Sequence, residues 1–418
     1  MMKKIDIYYF YFQTIFISIL PIALITGPAI PDIIVSSTSL IFVLKIFLFK
    51  QFSLIKNRLF LLLLIFYIYI VLNSIFSENI FLSLESSLFY IRFIFFAFLI
   101  NDLLKYSDKL IFYLLISFLF AFTVLIFDSY FQYFFGSNIL GYEYDGQRLS
   151  SLFNDEKILG SYLSRLTPFF LGLVLYLYPN SKKIIIVSLI YLLFLDILVI
   201  LSGERTSIFY IFFSTLLILI LISKWKIYRF VAFAFSIFIS ILIILFNQSV
   251  RDRVVSKTID QTNILGDKIN YFSVQHQVIY STSIKIFLDY PIFGIGPKNF
   301  RNICKKEKYK TFTKEDQSVD GCQTHPHNTY VQLLTETGFV GFIFVFSLFF
   351  LILKKLFLQF YNLYFLKKIY LKNYQICFYI TILISLWPFV PTGSFFNNWL
   401  SIIYFLPVGF ILSGTKSK

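Results

Sequence analysis

Residues 331–353 read VQLLTETGFVGFIFVFSLFFLIL, an apolar run with one acidic residue, Glu336, and no basic residue. An α-helix rises about 1.5 Å per residue, so a run of this length can cross the hydrocarbon core of a bilayer, which is ~30 Å thick. Similar runs recur along the chain, in which 58% of the residues are hydrophobic and 14% are charged. Soluble domains carry about 25% charged residues, so the composition predicts an integral membrane protein.

The apolar runs predict twelve transmembrane helices, so the expected fold class is an all-α integral membrane protein. The predicted spans are residues 8–26, 32–50, 59–76, 86–104, 110–131, 158–178, 184–202, 206–223, 229–247, 328–353, 374–391 and 396–412. The first span follows Lys3 and Lys4, as in a signal peptide. No A-x-A type cleavage site follows it and further spans do, so we interpret it as a retained span.

The distribution of positive charge predicts the orientation of these spans. With the N-terminus in the cytoplasm, twenty Lys and Arg residues lie at the cytoplasmic ends of spans or between them, Lys45 and Arg229 among them. The outer loops, apart from one long connection, carry only Arg148, Lys157 and Arg205. The positive-inside rule therefore predicts that both termini are cytoplasmic. The net charge of +15 follows from this topology and gives no reason to expect nucleic-acid binding.

One outer connection is much longer than the others and divides the chain. We expect residues 1–247 to hold the first nine spans, residues 248–327 to form one large periplasmic loop, and residues 328–418 to hold the last three spans. Long loops cross a membrane largely regardless of their charge. A structureless connection of this length would be unusual, so we expect the loop to fold and to carry function.

The long loop contains a predicted amphipathic helix. In VQHQVIYSTSIKIFLDYP, residues 274–291, helical spacing relates Val274, Val278, Ser281, Ile284 and Leu288. Pro291 cannot continue a helix, so the helix should end before it. We expect this helix to lie on or near the membrane surface.

Two of the three cysteines, Cys304 and Cys322, lie in the same loop, and Cys377 lies in a span. In an oxidising compartment the pair could form a disulfide, worth roughly 3 kcal/mol by the loop-entropy estimate. Two free thiols are the alternative. No C-x-x-C spacing is present, so a zinc site is not expected.

Two of the three histidines lie one residue apart at the end of this loop. His325 and His327 stand in THPHNTY, residues 324–330, and Asn328 follows them. A metal site with an acidic residue of an outer loop is an alternative, but H-x-H with an intervening Pro is a weak metal signal, so no metal or other cofactor is expected. His325 could equally be structural. His276, on the amphipathic helix, is expected at the surface and not in catalysis.

Four arginines accompany the histidines. Arg148 lies in the connection before the sixth span, Arg205 in the turn LSGERTS, and Arg92 and Arg165 inside the fourth and sixth spans. An arginine at membrane depth is costly and faces a cavity or extends to the surface. The two arginines inside spans could therefore simply extend to the surface, and Arg205 could cap a helix or pair with Glu204.

Several arginines beside a neutral histidine suit a reaction with a diphosphate leaving group and a general base. Arginine binds phosphate oxygens bidentately without changing its protonation state, and histidine can accept a proton from a sugar hydroxyl near neutral pH. The chain has no Walker loop and no dinucleotide fingerprint, so a reaction driven by a nucleotide has no support. A lipid-borne activated substrate is the natural alternative.

Four stretches of the sequence carry motifs. HNTYVQLLTETGFVG fits the pattern H-N-x9-G-x-x-G at His327, Asn328, Gly338 and Gly341. RLSSL, residues 148–152, is an R-x3-L element, and YPIFGIGPKNF and SGERTS are two further stretches of the outer side. Together these four stretches resemble the O-antigen ligase family, polytopic glycosyltransferases that include O-antigen ligases and polymerases. The likeness covers roughly residues 140–345.

The resemblance implies a membrane glycosyltransferase of the GT-C-like kind, in the bacterial inner membrane, with a periplasmic active site. It implies an inverting, metal-independent transfer from an undecaprenyl-pyrophosphate-linked glycan to a sugar hydroxyl of lipid A–core or another glycan. His327 would be the base, and Arg148 and Arg205 would hold the pyrophosphate. His325, Asn328, Arg165 and Arg92 are the further predicted substrate-binding residues, and the amphipathic helix would help to cover the site and admit lipid.

Two alternatives stay open. An O-antigen or polysaccharide polymerase would join two lipid-linked repeat units with the same base and arginines. A membrane transporter, similar to family-like proteins associated with inorganic-carbon uptake, would instead need ionisable groups near the bilayer midplane. Asp196 is the main candidate for such a group.

Overall fold

The computed structural model describes residues 4–154, 156–262, 270–312 and 320–414. The α-helices of these residues are α1 Lys4–Ser18, α2 Leu20–Ala23, α3 Ala29–Leu48, α4 Arg58–Ile75, α5 Ile80–Ser87, α6 Ile91–Tyr106, α7 Lys109–Phe135, α8 Leu159–Leu177, α9 Lys182–Leu201, α10 Arg205–Leu221, α11 Lys226–Phe246, α12 Gln248–Arg251, α13 Lys257–Thr262, α14 Val274–Asp289, α15 Phe300–Ile303, α16 Thr329–Tyr364, α17 Asn373–Ser385 and α18 Asn398–Gly414. Short 3-10 helices are Phe52–Leu54, Leu88–Tyr90, Ser151–Phe153 and Glu307–Tyr309, and Asp252–Ser256 is a π-helical turn. The described residues form no β-strand, only isolated bridges between Ser137 and Glu143 and between Phe312 and Asp320.

Every predicted span coincides with a helix or with consecutive helical segments. In the described part of the chain, seven helices are long and apolar enough to cross a membrane: α3, α4, the segment Ile80–Tyr106 formed by α5 and α6, α7, α9, α11 and α16. Shorter apolar helices occupy four further predicted spans, and α8, which contains Arg165, occupies the remaining one. The chain is therefore an all-α, multi-pass membrane protein, as predicted.

One predicted span is not continuous. The helix expected over residues 328–353 is broken at Gly338, whose backbone is non-helical (φ 62°, ψ −168°). Residues 291–296 cross the chain at this break: Phe339 N donates to Pro291 O (2.8 Å), and Gly296 N donates to Glu336 O (2.8 Å). A Cβ on residue 338 would lie 2.2 Å from the carbonyl oxygen of Ile292, so only glycine fits there.

The long connection is folded where it is described. Its hydrophobic cluster comprises Ile279, Tyr280, Ile286, Ile295, Phe300, Ile303, Cys304 and Tyr309. The predicted helix is present as α14 and ends before Pro291. Of its predicted stripe, Val278 is buried, but Val274, Ile284 and Leu288 are exposed, so most of the stripe faces away from the protein.

A disulfide closes this folded region. Cys304 is bonded to Cys322, and their Cα atoms are 5.1 Å apart. The bond links the segment after α15 to the segment that leads into THPHNTY. Cys377 is a free, buried thiol on α17.

Two positive charges assigned to the cytoplasmic side by sequence are instead buried among the helices. Arg229 on α11 pairs with Asp196 on α9 (Nη1–Oδ2 2.6 Å). Lys45 on α3 pairs with Asp102 on α6 (Nζ–Oδ2 2.8 Å). Each ion is compensated by an opposite charge, which burial in a low-dielectric interior requires.

Candidate functional site

Arg148 is positioned by polar side chains at the end of α7. The side-chain oxygen of Gln132 accepts from the amides of Ser150 (3.2 Å) and Ser151 (2.8 Å), which fixes the connection before α8. Asp145 accepts from the Arg148 amide (2.8 Å), and Arg148 Nη2 donates to the carbonyl of Lys157 (2.7 Å). The backbone and one edge of the guanidinium are therefore held, while Nη1 has no hydrogen bond from the described residues.

The turn between α9 and α10 brings Arg148 together with two further arginines. Gly203 (φ +64°) packs so closely that a Cβ there would lie 2.6 Å from the Gln147 carbonyl and 3.2 Å from Arg148 Cγ. Arg253 Nε donates to the Gly203 carbonyl (3.2 Å), and Arg205 donates to the side-chain oxygen of Gln261. We call Arg148, Arg205 and Arg253 the arginine cluster.

Glu204, in the same turn, does not pair with Arg205. Its carboxylate caps the N-terminus of α8 by accepting from the amides of Gly160 (2.8 Å) and Ser161 (3.1 Å). Burial raises the pKa of Glu204 to about 7, and the positive charge of Arg148 opposes that rise. The helix N-terminus favours the anion, so this carboxylate stabilises α8 and forms no ion pair with the arginine cluster.

The arginine cluster carries excess positive charge. No ion pair within the described ranges joins any of its three members to a carboxylate. Burial lowers the pKa of Arg253, the neighbouring charges of Arg148 and Arg205 lower it further, and the charges of Asp145 and Glu204 oppose this. Three like charges near one another favour the binding of an anion, because an anion relieves their repulsion. No motif marks Arg253 in the sequence, and it lies on the π-helical turn of the long connection.

All three histidines of the chain meet at one place. The ring centroids of His325 and His327 are 4.0 Å apart, and those of His276 and His327 are 5.9 Å apart with nearly perpendicular planes. The expectation that His276 is merely a surface residue was wrong, since it is half-buried against His327. Ser273 Oγ lies 2.6 Å from His276 Nδ1 and fixes its ring.

His327 is held by its backbone. It adopts a left-handed conformation (φ 55°), and its carbonyl accepts from the Thr392 amide (2.8 Å) in the connection between α17 and α18. A non-glycine residue in this region is strained, and such strain is concentrated at functional sites. Neither ring nitrogen of His327 has a hydrogen bond from the described residues, so both are available to a ligand.

The histidines are neutral at neutral pH. Burial lowers the pKa of His327, and burial followed by the adjacent His327 ring lowers the pKa of His325 to about 3. Burial, His327 and the charge of Arg205 lower the pKa of His276 to about 4. Of the arginine cluster, Arg205 is thus near enough for its charge to act on His276.

Arg165 is buried beside Thr392, the residue that holds the His327 backbone. It is 2% exposed, and its Nη2 donates to Thr392 Oγ1 (3.1 Å) and to the hydroxyl of Tyr210 (3.2 Å). Its Nε donates to Ser161 Oγ (3.2 Å), and Nη1 has no partner among the described residues. Arg165 therefore points inward and does not extend to a membrane surface.

Two predicted substrate-binding residues have other partners. Arg92 pairs with Asp32 (2.7 Å) and donates to the carbonyl of Phe89 (3.1 Å), so the structure does not bring it to the arginine cluster. Asn328 caps α16 by accepting from the amides of Tyr330 and Val331, and its amide nitrogen donates to the carbonyls of Pro388 and Val390. Its hydrogen-bonding capacity is used within the protein.

The arrangement can bind an anion and accept a proton. Among the described residues, no group of three or more His, Cys, Asp or Glu side chains is placed to hold a metal ion. The reactive groups are thus a set of arginines without carboxylate partners and neutral histidines, at one end of a helical membrane bundle. We call this the histidine end.

These features define a multi-pass membrane protein with a group of arginines and histidines at one end of its bundle. Residues 169–346 match the family model described as O-antigen ligase, the family that the motifs of the sequence resemble. The matched segment contains Arg205, Arg253 and the three histidines, whereas Arg148 and Arg165 precede it. No curated protein matches the chain. The family indicates a glycosyltransferase activity of the ligase or polymerase type.

Proposed function

We propose that the chain is an O-antigen ligase. It transfers a glycan from undecaprenyl pyrophosphate to a sugar hydroxyl of lipid A–core, with inversion and without a metal, on the periplasmic face of the bacterial inner membrane. Both termini lie in the cytoplasm, as the charge distribution predicts. The observation that carries this proposal is the neutral His327 beside an arginine cluster without carboxylate partners.

In this proposal the arginine cluster binds the diphosphate of the donor. Guanidinium groups match phosphate oxygens with paired hydrogen bonds and stay charged at every physiological pH. Negative charge grows on the diphosphate as its bond to the sugar breaks, so Arg148, Arg205 and Arg253 stabilise the transition state more than the ground state. Arg253 joins the two arginines predicted from sequence.

His327 acts as the general base. An acceptor hydroxyl oxygen attacks the anomeric carbon from the face opposite the diphosphate, and an imidazole nitrogen of His327 takes the hydroxyl proton. The carbon–oxygen bond to the diphosphate breaks with its electron pair, and undecaprenyl pyrophosphate leaves. General bases contribute about 10²–10⁴-fold to such reactions.

The remaining residues position these groups. The amide of Thr392 donates to the His327 carbonyl, and its hydroxyl accepts from Arg165. Arg165 therefore fixes the position of the base. His276 presents its Nε2 to the diphosphate, because Ser273 occupies Nδ1. The ring of His325 lies against that of His327, tilted by 44°, and orients it. Asn328 fixes the start of α16, and Arg92 has no part in the site.

The buried charges give the transporter alternative little support. Transport needs an ionisable group in the membrane that can exchange its partner. Asp196, the main candidate, is bound through both oxygens by Arg229 (2.6 and 3.1 Å) and both side chains are buried. We therefore assign this pair to the stability of the bundle.

A complementation experiment tests the proposal. In a strain that lacks this gene, the wild-type chain should restore glycan-bearing lipopolysaccharide, whereas His327→Ala should lower transfer about 10²–10⁴-fold at equal membrane abundance. Lys305→Ala, an exposed change in the same folded region, is the control and should restore it fully. Equal restoration by His327→Ala would contradict the proposal.

The glycolipid that accumulates in that strain separates ligase from polymerase. Unligated polymer on undecaprenyl pyrophosphate is the expected result for a ligase. Single repeat units on the same carrier would instead assign the site to a polymerase.

A further inference from the structure

A long apolar cavity lies inside the bundle, away from the arginine cluster. Its volume is about 460 Å³, and its wall includes Leu63, Phe66, Leu348, Ile382 and Phe405 from α4, α16, α17 and α18. The volume falls within the range of about 300–1,000 Å³ that is typical of sites for small ligands. Water gains nothing in an apolar cavity of this kind, but a hydrocarbon chain does.

The cavity runs parallel to the helices. At one end it is lined by Leu59, at the start of α4, and by Leu412, near the end of α18. At the other it is lined by Tyr90 and Phe395, which precede α6 and α18. The cavity therefore follows the direction of the helices, as the acyl chain of a lipid in a bilayer does.

Two lysines stand at the end that holds Leu59 and Leu412. Lys354 and Lys355 line the cavity there and are exposed. Lys355 donates to the hydroxyl of Tyr370 (2.8 Å), and no ion pair within the described ranges joins either lysine to a carboxylate. This is the end that the positive-inside rule predicts to be cytoplasmic, opposite the histidine end.

We propose that this cavity binds one anionic phospholipid, with an acyl chain between α4, α16 and α18 and its phosphate at Lys354 and Lys355. Basic pockets between transmembrane helices on the cytoplasmic side are suited to anionic head groups. The lipid fills the cavity beside the second half of α16 and so stabilises the packing of that helix against the bundle.

The position of the lysines separates this lipid from a polyprenyl substrate. A diphosphate bound by the arginine cluster has its head at the opposite end of the bundle. A tail entering from there would have to pass Phe395 and Tyr404, each 5% exposed. The positive charges of Lys354 and Lys355 instead favour a lipid whose anionic head group lies at their end of the cavity.

The site can be tested by counting lipid bound to purified protein. Delipidated protein in detergent is titrated with phosphatidylglycerol or with phosphatidylcholine of the same acyl chains, and bound lipid is counted by native mass spectrometry. We expect one phosphatidylglycerol per chain, a higher midpoint of thermal unfolding, and much weaker binding of phosphatidylcholine. Equal binding of both lipids would overturn the proposal.

Two variants with matched controls locate the head and the chain. Lys354→Ala/Lys355→Ala should weaken binding of phosphatidylglycerol about 25-fold, at about fivefold per lysine, while Lys367→Ala/Lys368→Ala, on the same side of the membrane, should not. Leu348→Trp fills the cavity and should abolish binding of both lipids, whereas Ser347→Trp faces outward and should leave it unchanged. A loss of binding in either control equal to that in its test variant would overturn the assignment.

A polyprenyl phosphate is the competing ligand. The proposal expects it to displace phosphatidylglycerol poorly. Tighter binding of the polyprenyl phosphate that survives Lys354→Ala/Lys355→Ala would assign the cavity to the lipid carrier and refute the phospholipid site. None of these measurements depends on glycan transfer, so their outcome is independent of the proposed ligase activity.

Discussion

Arg229 and Arg165 are equally buried, each 2% exposed, yet they are compensated in opposite ways. Arg229 is bound by both oxygens of Asp196 and by the hydroxyl of Thr215 (2.7 Å). Arg165 donates hydrogen bonds only to hydroxyl groups and has no carboxylate partner among the described residues. Each guanidinium also lies over an aromatic ring and has one nitrogen without a partner in the described part of the chain, so the carboxylate is the difference between them. Inside the bundle the cost of burying a cation is offset when the chain folds, whereas at the histidine end it is left for a ligand to offset.

The same contrast holds for the backbone. Buried charges inside the bundle, such as Lys45 and Asp102, sit on regular helices. At the histidine end α16 is broken at Gly338, and His327 is held in a left-handed conformation. Charge without compensation and backbone strain both lower stability, and both are characteristic of a site that is organised before its substrate arrives.

The largest effect should follow from removing the compensated arginine. Arg229→Met leaves the Asp196 carboxylate buried without a partner, which should lower the free energy of unfolding by about 3–5 kcal/mol. Denaturation of the purified protein in detergent measures this. Arg229→Met/Asp196→Leu removes both charges and should recover most of the loss, since an apolar pair of similar volume can replace a buried ion pair. Unchanged stability of Arg229→Met would show that the pair with Asp196 is not what offsets the cost of burying these charges.

Arg165→Met should have the opposite pattern of effects, with little change in stability and a large loss of transfer. It removes a cation that has no carboxylate partner, so stability should change by less than about 1 kcal/mol, with loss of hydrogen bonds offset by relief of a buried charge. Transfer should fall about 10²–10³-fold, the size of effect seen when one electrostatic group of an active site is removed. Paired measurements of unfolding and of initial transfer rates decide the matter. A destabilisation as large as that of Arg229→Met would make Arg165 a structural residue.

The sequence predicted the helices well because a transmembrane helix is a local property. Its length is set by the membrane thickness, and each apolar run satisfies that length by itself. The break at Gly338 could not be found in this way, since an isolated glycine within an apolar run is tolerated in a continuous helix. The break exists because residues 291–296, distant in sequence, pack across it.

The predicted residues of the candidate site were marked by a motif, by an adjacent motif residue or, for Arg165, by depth in the membrane. His327, Arg148 and Arg205 stand in stretches that resemble the family, and the structure groups them. Arg253 and His276 reach the same place through the folding of the long connection, and neither stands in a recognised motif. Arg92 shows the opposite failure: depth in the membrane suggested function, but its partner Asp32 on α3 gave no local signal.

The broken helix can be tested with two glycines of positive φ. Gly338→Ala forces a Cβ to within 2.2 Å of a backbone oxygen, whereas Gly136→Ala, at φ +83°, meets nothing within 4 Å. The second change should cost about 1–2 kcal/mol from backbone strain alone, and the first about 2–3 kcal/mol more from the added clash. Thermal unfolding of both variants measures the difference. Equal costs would mean that the crossing of residues 291–296 over the break contributes nothing.

The smallest effect concerns pH and the neutrality of the histidines. A base must be unprotonated, and burial lowers the pKa of His327 below its ordinary value of about 6.5. The neutral fraction of an ordinary histidine falls about threefold between pH 7 and pH 6. The neutral fraction of His327 should fall less, so kcat/KM, which reports the free enzyme, should fall by less than about threefold. Glu204, whose pKa burial raises to about 7, also titrates in this range, so Glu204→Gln should remove any dependence that belongs to it. A threefold fall that persists in Glu204→Gln would show that the base at the histidine end is as well solvated as a free histidine. Burial would then leave the charge of the base unperturbed, and the contrast between the histidine end and the interior of the bundle would fail.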